Sequence, residues 1–160
     1  MPLLEAALAW SEIDLEPNSR RKPAGPPARI LCVSPVPEDY KDLRGIVSDS
    51  MWRIAAADSC QDAIAYLTRT EVSIVFCEHT LPDGSWRQLL DHATLLPIPP
   101  PVIVTSRLAD DHLWAEVLNL GGFDVLAKPY NAREVRHVLA SAWVQRVRPL
   151  GNVGMAAGNA

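Results

Sequence analysis

The sequence predicts an α/β fold in which five strand-then-helix repeats form one doubly wound parallel sheet. Three observations lead there. Short apolar runs bounded by turn residues recur along the chain, the clearest being Val72-Ser73-Ile74-Val75-Phe76-Cys77. Such runs read as strands buried on both faces. The segments between them open with helix-capping spacings: Ser59 with Asp62, Ser85 with Gln88, and Asn131 with Glu134. The connections are short, and right-handed crossovers then place helices on both faces of a single sheet.

The elements follow in order. Arg29-Ile30-Leu31-Cys32-Val33 reads as the first strand, and Glu38 to Ser48 as a helix with Pro37 at its first turn. Trp52 to Ala57 is the second strand, and Ser59 to Arg69 the second helix. Val72 to Cys77 is the third strand, followed by a Pro82-Asp83-Gly84 turn and a helix from Ser85. Pro101 to Thr105 is the fourth strand, and Asp110 to Leu120 a helix ended by Gly121-Gly122. Phe123 to Ala127 and a helix from Asn131 to about Arg146 close the set. The expected organisation is an arm and proline-rich linker over 1–28, a domain over 29–146 and a tail over 147–160.

Composition narrows the function classes. A chain of 160 residues, 48% hydrophobic and 21% charged, is long enough for one domain with a real core. A net charge of −4 gives no bulk electrostatic case for nucleic acid or an anionic membrane. Arg20-Arg21-Lys22 reads as a solvated linker patch. No apolar run approaches the roughly 20 residues of a spanning helix. Cys32, Cys60 and Cys77 lack metal-type pairing, and Cys32 and Cys77 read as small buried hydrophobes. A cytoplasmic location is expected.

The informative residues stand at strand ends. The first strand ends in Ser34-Pro35, the third in Glu78, the fourth in Thr105-Ser106 and the fifth in Lys128-Pro129. Parallel strands put all four at one edge, where open α/β sheets bind ligands. An acid, a hydroxyl and an ammonium then face a common crevice.

With these residues in their order, together with Leu81-Pro82-Asp83-Gly84, Ile103-Val104-Thr105 and Gly121-Gly122, residues 29–146 resemble the receiver domain of bacterial response regulators. The resemblance implies a flavodoxin-like (βα)5 fold with strand order 2-1-3-4-5, the order of a doubly wound receiver. It implies self-phosphorylation, in which an Asp at the end of the third strand takes a phosphoryl group from a histidine kinase. Acidic residues after the first strand then hold Mg²⁺, and a Thr or Ser and a Lys contact the phosphoryl oxygens. The face made by the fourth helix, fifth strand and fifth helix carries the output and dimer contacts. The Lys-Pro peptide bond is typically cis.

The sequence departs from that pattern where the chemistry lies. The acceptor position is Glu78, and the acidic-pair positions are Ser34 and Pro35. Val125 replaces an aromatic, and Trp86 a small residue, while Thr105 and Lys128 are retained. Mg²⁺ demands octahedral oxygen ligands, so binding is expected to be weak or absent, with no metal or other cofactor. Two readings of Glu78 stay open. Its extra methylene, about 1.5 Å of added reach, lets it stand in permanently for a phosphorylated Asp; or it is a solvated acid at a decayed site. A partly exposed Glu78–Lys128 pair would contribute only ~0–1 kcal/mol. Lys128-Pro129 has turn geometry as an alternative role, and His79 and Asp83 read more simply as loop polarity and turn chemistry. Trp114 and Trp143 read as core packing or as anchors on the output face.

The expectation is a stand-alone atypical receiver, not an enzyme. It acts by binding a histidine kinase or downstream protein, with a homodimer also in view. The alternatives are phosphorylation at Glu78 or Asp83, or a flavodoxin-like small-molecule module. No Gly-rich run opens a helix, which argues against a phosphate cradle.

Overall fold

A computed structural model describes residues 28–147. The predicted arm and tail, including Arg20-Arg21-Lys22, lie outside the described residues. Five strands form one parallel sheet: β1 (Arg29–Val33), β2 (Arg53–Ala57), β3 (Ile74–Glu78), β6 (Val102–Ser106) and β7 (Asp124–Ala127). Its order is β2-β1-β3-β6-β7, the 2-1-3-4-5 order once two short strands are set aside. These are β4 (Thr80–Leu81) and β5 (Gly84–Ser85), an antiparallel hairpin where the sequence suggested only a turn. The helices are α1 (Pro37–Val47), α2 (Cys60–Arg69), α3 (Trp86–Thr94), α4 (Asp111–Asn119) and α5 (Ala132–Val147).

The helices start where the caps say. Ser59 Oγ accepts from Asp62 N–H, and Ser85 with Gln88 forms a reciprocal capping box. Asn131 Oδ1 accepts from Glu134 N–H at 3.0 Å. Helix α4 ends as predicted: Gly121 takes φ +101°, and Gly122 N–H reaches back to the Val117 carbonyl at 2.8 Å. A Cβ at Gly122 would sit 3.0 Å from that carbonyl oxygen.

Two strands are displaced from their predicted spans. Strand β3 begins at Ile74 and runs through Glu78, so the acid is its last residue. Strand β6 runs through Ser106, not Thr105. Pro101 has no N–H to add to a ladder, though its carbonyl accepts from Val75 N–H at 2.9 Å.

The sheet divides the core into two layers. Leu31, Val75, Val104, Trp86 and Leu89 pack on one side with α2, α3 and α4. Ile30, Phe76, Ile103, Leu43 and Leu139 pack on the other with α1 and α5. Every residue of β6 is buried, as in a central strand covered on both faces. Trp86, in place of a small residue, is wholly buried. Trp143 is core as well as helix surface: its ring meets Trp52 edge-on, centroids 5.4 Å apart. Cys32, Cys60 and Cys77 are buried free thiols.

Phe76 sits in the middle of β3 with 1% exposure. Phe76→Ala is expected to cost about 3–5 kcal/mol, read as a lower urea midpoint with the slope unchanged.

Candidate functional site

The strand ends build one site. Parallel register places Glu78 on β3 directly beside Thr105 on β6. Thr105 is 2% exposed, and its hydroxyl donates to Glu78 Oε2 at 3.3 Å. Lys128 follows β7, and its ammonium forms an ion pair with that same oxygen. The Lys128-Pro129 peptide bond is cis, as the resemblance implies. Val125, the aromatic's replacement, is half-buried on β7 and packs against the layer under α2 to α4.

A residue the sequence reading passed over completes the site. Asp39, in the first turn of α1, is 5% exposed, and its Oδ2 lies 2.7 Å from Lys128 Nζ. Ser34 Oγ donates to that oxygen at 2.6 Å and itself accepts from Val36 N–H at 3.1 Å. The polar chain is therefore continuous: Val36 N–H to Ser34, Ser34 to Asp39, Lys128 to Asp39 and Glu78, and Thr105 to Glu78. It ties α1, β3, β6 and the end of β7 at one point. Pro35 adds no side-chain donor or acceptor.

The signal for Asp39 was present. In α1 the buried residues are Asp39, Leu43 and Val47, an i, i+4, i+8 stripe. An acid on the apolar stripe of a helix leaving the ligand edge needs a partner. Read alone, it passes for the first-turn acid that complements a helix dipole.

The expectation of a partly exposed Glu–Lys pair holds for Glu78 and Lys128 as whole residues, while the Lys128 ammonium itself is well enclosed. The side chains of Lys128, Asp39 and Glu78 are 6%, 7% and 16% exposed. The Lys128 and Asp39 side chains are more enclosed than those of a surface pair, so the surface value does not carry over to them. Burial opposes the Lys128 charge, but hydrogen bonds and charge from Asp39 and Glu78 outweigh it and hold its pKa above the ordinary lysine value. Burial, then the Asp39 carboxylate, pushes the adjacent Cys32 thiol up to about 12, so it is no nucleophile at neutral pH. Burial likewise raises the Tyr130 phenol, which interacts with the Thr105 side chain.

The other candidates fall outside the network. Asp83 turns away: its two oxygens accept from Cys60 N–H at 2.8 Å and Gln61 N–H at 2.9 Å, capping α2. Those hydrogen bonds lower its pKa. His79 Nδ1 pairs with the Thr80 hydroxyl at 3.1 Å, off the crevice. Trp114 on α4 is 49% exposed, with its indole N–H 3.3 Å from Asp124 Oδ1 on β7. Leu118 and Leu120 are exposed beside it in sequence. Among the described residues, no helix is long and apolar enough to cross a membrane.

Comparison with known proteins follows the same lines. The family model for the response regulator receiver domain matches residues 30–140. No curated protein matched the chain. Among solved structures, the signal receiver domain of a LuxO-type repressor protein from Vibrio parahaemolyticus aligns at TM-score 0.71 and 24% identity. That alignment covers 76% of this chain and 93% of the other. A two-component response regulator from Clostridium difficile aligns at 0.65 and 24%, covering 76% and 99%. The chemotaxis response regulator CheY4 of Vibrio cholerae aligns at 0.66 and 13%, covering 73% and 99%. At these identities the structures speak for the fold.

Removing Lys128 leaves the buried Asp39 carboxylate and the half-buried Glu78 carboxylate with no counter-charge. Lys128→Met is expected to destabilise by about 3–5 kcal/mol in denaturant unfolding at pH 7. The raised pKa sets the pH window. The stabilisation from charged Lys128 is complete below the ordinary lysine value of 10.5 and is lost as pH rises through the higher folded value. The gap between wild type and Lys128→Met should therefore persist to pH 10 and narrow above it.

Proposed function

We propose that this chain, which belongs to the response regulator receiver domain family of two-component signalling, is a receiver whose signalling state is set by protein contacts and not by Mg²⁺-assisted phosphorylation. The observation that carries this reading is the double engagement of Lys128 by Glu78 and Asp39. In the family pattern, Thr and Lys close on a phosphoryl group carried by an Asp at the end of the third main strand. Here Glu78 supplies negative charge at that position, and both Thr105 and Lys128 already contact it. The longer acid holds the contacts that a phosphoryl group would otherwise draw in.

The residues do not fit a Mg²⁺ ion. Such an ion needs several hard oxygen donors in octahedral array. Asp39 and Glu78 each give an oxygen to the Lys128 ammonium, Ser34 donates a hydrogen bond to Asp39, and Pro35 has no side-chain oxygen to offer. Lys128 serves as the site's internal cation. Phosphoryl transfer without a metal loses the main stabiliser of its developing charge. Asp83 is a poor alternative acceptor, since both oxygens are held at the α2 N-terminus.

The partner is a protein, either a histidine kinase or a downstream component. The surface of α4, β7 and α5 supports this, because Trp114, Leu118 and Leu120 leave large apolar area in water there. The same face would serve a homodimer.

Incubation with acetyl phosphate and Mg²⁺, followed by a phosphate-affinity gel, is expected to show no shifted band. A stoichiometric band that disappears in Glu78→Ala would contradict the proposal.

A further inference from the structure

Among the described residues strand β2 is an edge of the sheet, and we infer that it takes an extended acidic segment of a partner protein as an added strand. Hydrogen-bond parity defines the edge. Arg53 N–H bonds to the Ala28 carbonyl and Ser34 N–H to the Ala57 carbonyl, both at 2.9 Å. Residues 53, 55 and 57 therefore bond to β1, and the N–H and C=O groups of Ile54 and Ala56 point away from the sheet. No described strand lies on that side, and Ala56 is exposed. A row of outward backbone groups is a template for another chain. The small side chains of Ala55, Ala56 and Ala57 let its backbone come close.

Two grooves border this edge. One, of about 470 Å³, lies between α1 and β2 and is lined by Tyr40, Arg44, Val47 and Ile54 among others. The other, of about 570 Å³, spans from Lys41 on α1 across Ala56 to Tyr66 and Arg69 on α2. An added strand would turn alternate side chains toward α1 and toward α2.

Charge selects the occupant. Four exposed cations line the grooves: Lys41 and Arg44 from α1, Arg53 from β2 and Arg69 from α2. Among the described residues none of them makes an ion pair. Ala55 packs into the layer under α2 to α4, so Arg53, two residues before it, points to the α2 side. Each face of an added strand therefore meets two cations. Arg53 opens β2, while Arg44 and Arg69 stand in the last turns of α1 and α2, which run back along the sheet. These three share the end of the sheet opposite the Glu78 site. The acids that line the larger groove, Asp58 and Asp62, stand at the other end, after β2. A segment with its acids at the Arg53 end satisfies both, in a chain whose net charge is −4. A nucleic-acid backbone would match the cations but has no donors for the Ile54 and Ala56 carbonyls. A peptide backbone supplies donors and acceptors together.

The test is amide hydrogen exchange at Ile54 and Ala56 in the full chain, with and without a capped peptide alternating Glu and Val. The expected result is at least tenfold slower exchange at both amides in saturating peptide, with a smaller effect at Ala55, which already bonds to β1. Arg53→Glu with Arg69→Glu should weaken that peptide at least tenfold and favour one alternating Lys and Val. Ala56→Pro keeps every bond to β1, because that N–H points outward, and should also weaken the peptide. The charge-reversal pair carries the test if the proline variant does not fold. Exchange left unchanged by millimolar peptide would overturn the inference. So would equal protection by an oligothymidylate. Protection already present in the free chain would overturn it too, assigning the edge to this chain itself or, where it rises with protein concentration, to a second copy.

Discussion

A buried ammonium held between two carboxylates governs the ligand edge of this domain. Lys128 arrives from β7, Asp39 from α1 and Glu78 from β3, and without Lys128 the two carboxylates would face each other with no cation between them. Carrying an ion from water into a protein interior costs several kcal/mol. Here that cost is offset by two charge-assisted contacts at Lys128 and by the hydroxyls of Ser34 and Thr105. Three unit charges leave the cluster at net −1. The two hydroxyls and their position at the sheet edge make that residual charge tolerable.

On the proposed reading, the arrangement joins structure to signalling. Receivers change state when a negative group at the end of the third main strand recruits a hydroxyl and a lysine. In this chain Glu78 already has both. Asp39 adds a second claim on Lys128 and ties it to α1. On the proposed reading, a cation provided by the fold stands where other receivers hold a metal. The crevice then has one arrangement to favour, and regulation falls to the surfaces around it. Trp114 lies on one such surface and is connected back to β7 through Asp124.

The fold was legible because buried parallel strands are short, apolar and separated by strong punctuation. Ile30 to Val33, Ile74 to Cys77 and Val102 to Val104 are continuous apolar runs, and Ser59, Ser85 and Asn131 mark helix starts through local chemistry. The positions of Glu78, Thr105 and Lys128 followed from the parallel order alone. What escaped depended on tertiary contact. Asp39 looked like an ordinary first-turn acid until Lys128, 89 residues away, was set against it. Asp83 looked like turn chemistry, but it caps a helix 22 to 23 residues earlier. The enclosure of the Lys128 side chain could not be read either, because it depends on Asp39 and Glu78 meeting it from elements far apart in sequence.

The account stands on energetic coupling between Glu78 and Lys128. A double-mutant cycle with Glu78→Gln, Lys128→Met and the pair, followed by urea unfolding at pH 7, measures it most directly. Groups in one buried network show coupling of about 0.5–3 kcal/mol, while independent sites add to within about 0.3–0.5. The account predicts coupling of about 1.5 kcal/mol or more. Additive effects would show that Glu78 and Lys128 do not hold one another and would remove the basis for reading Glu78 as a fixed charge.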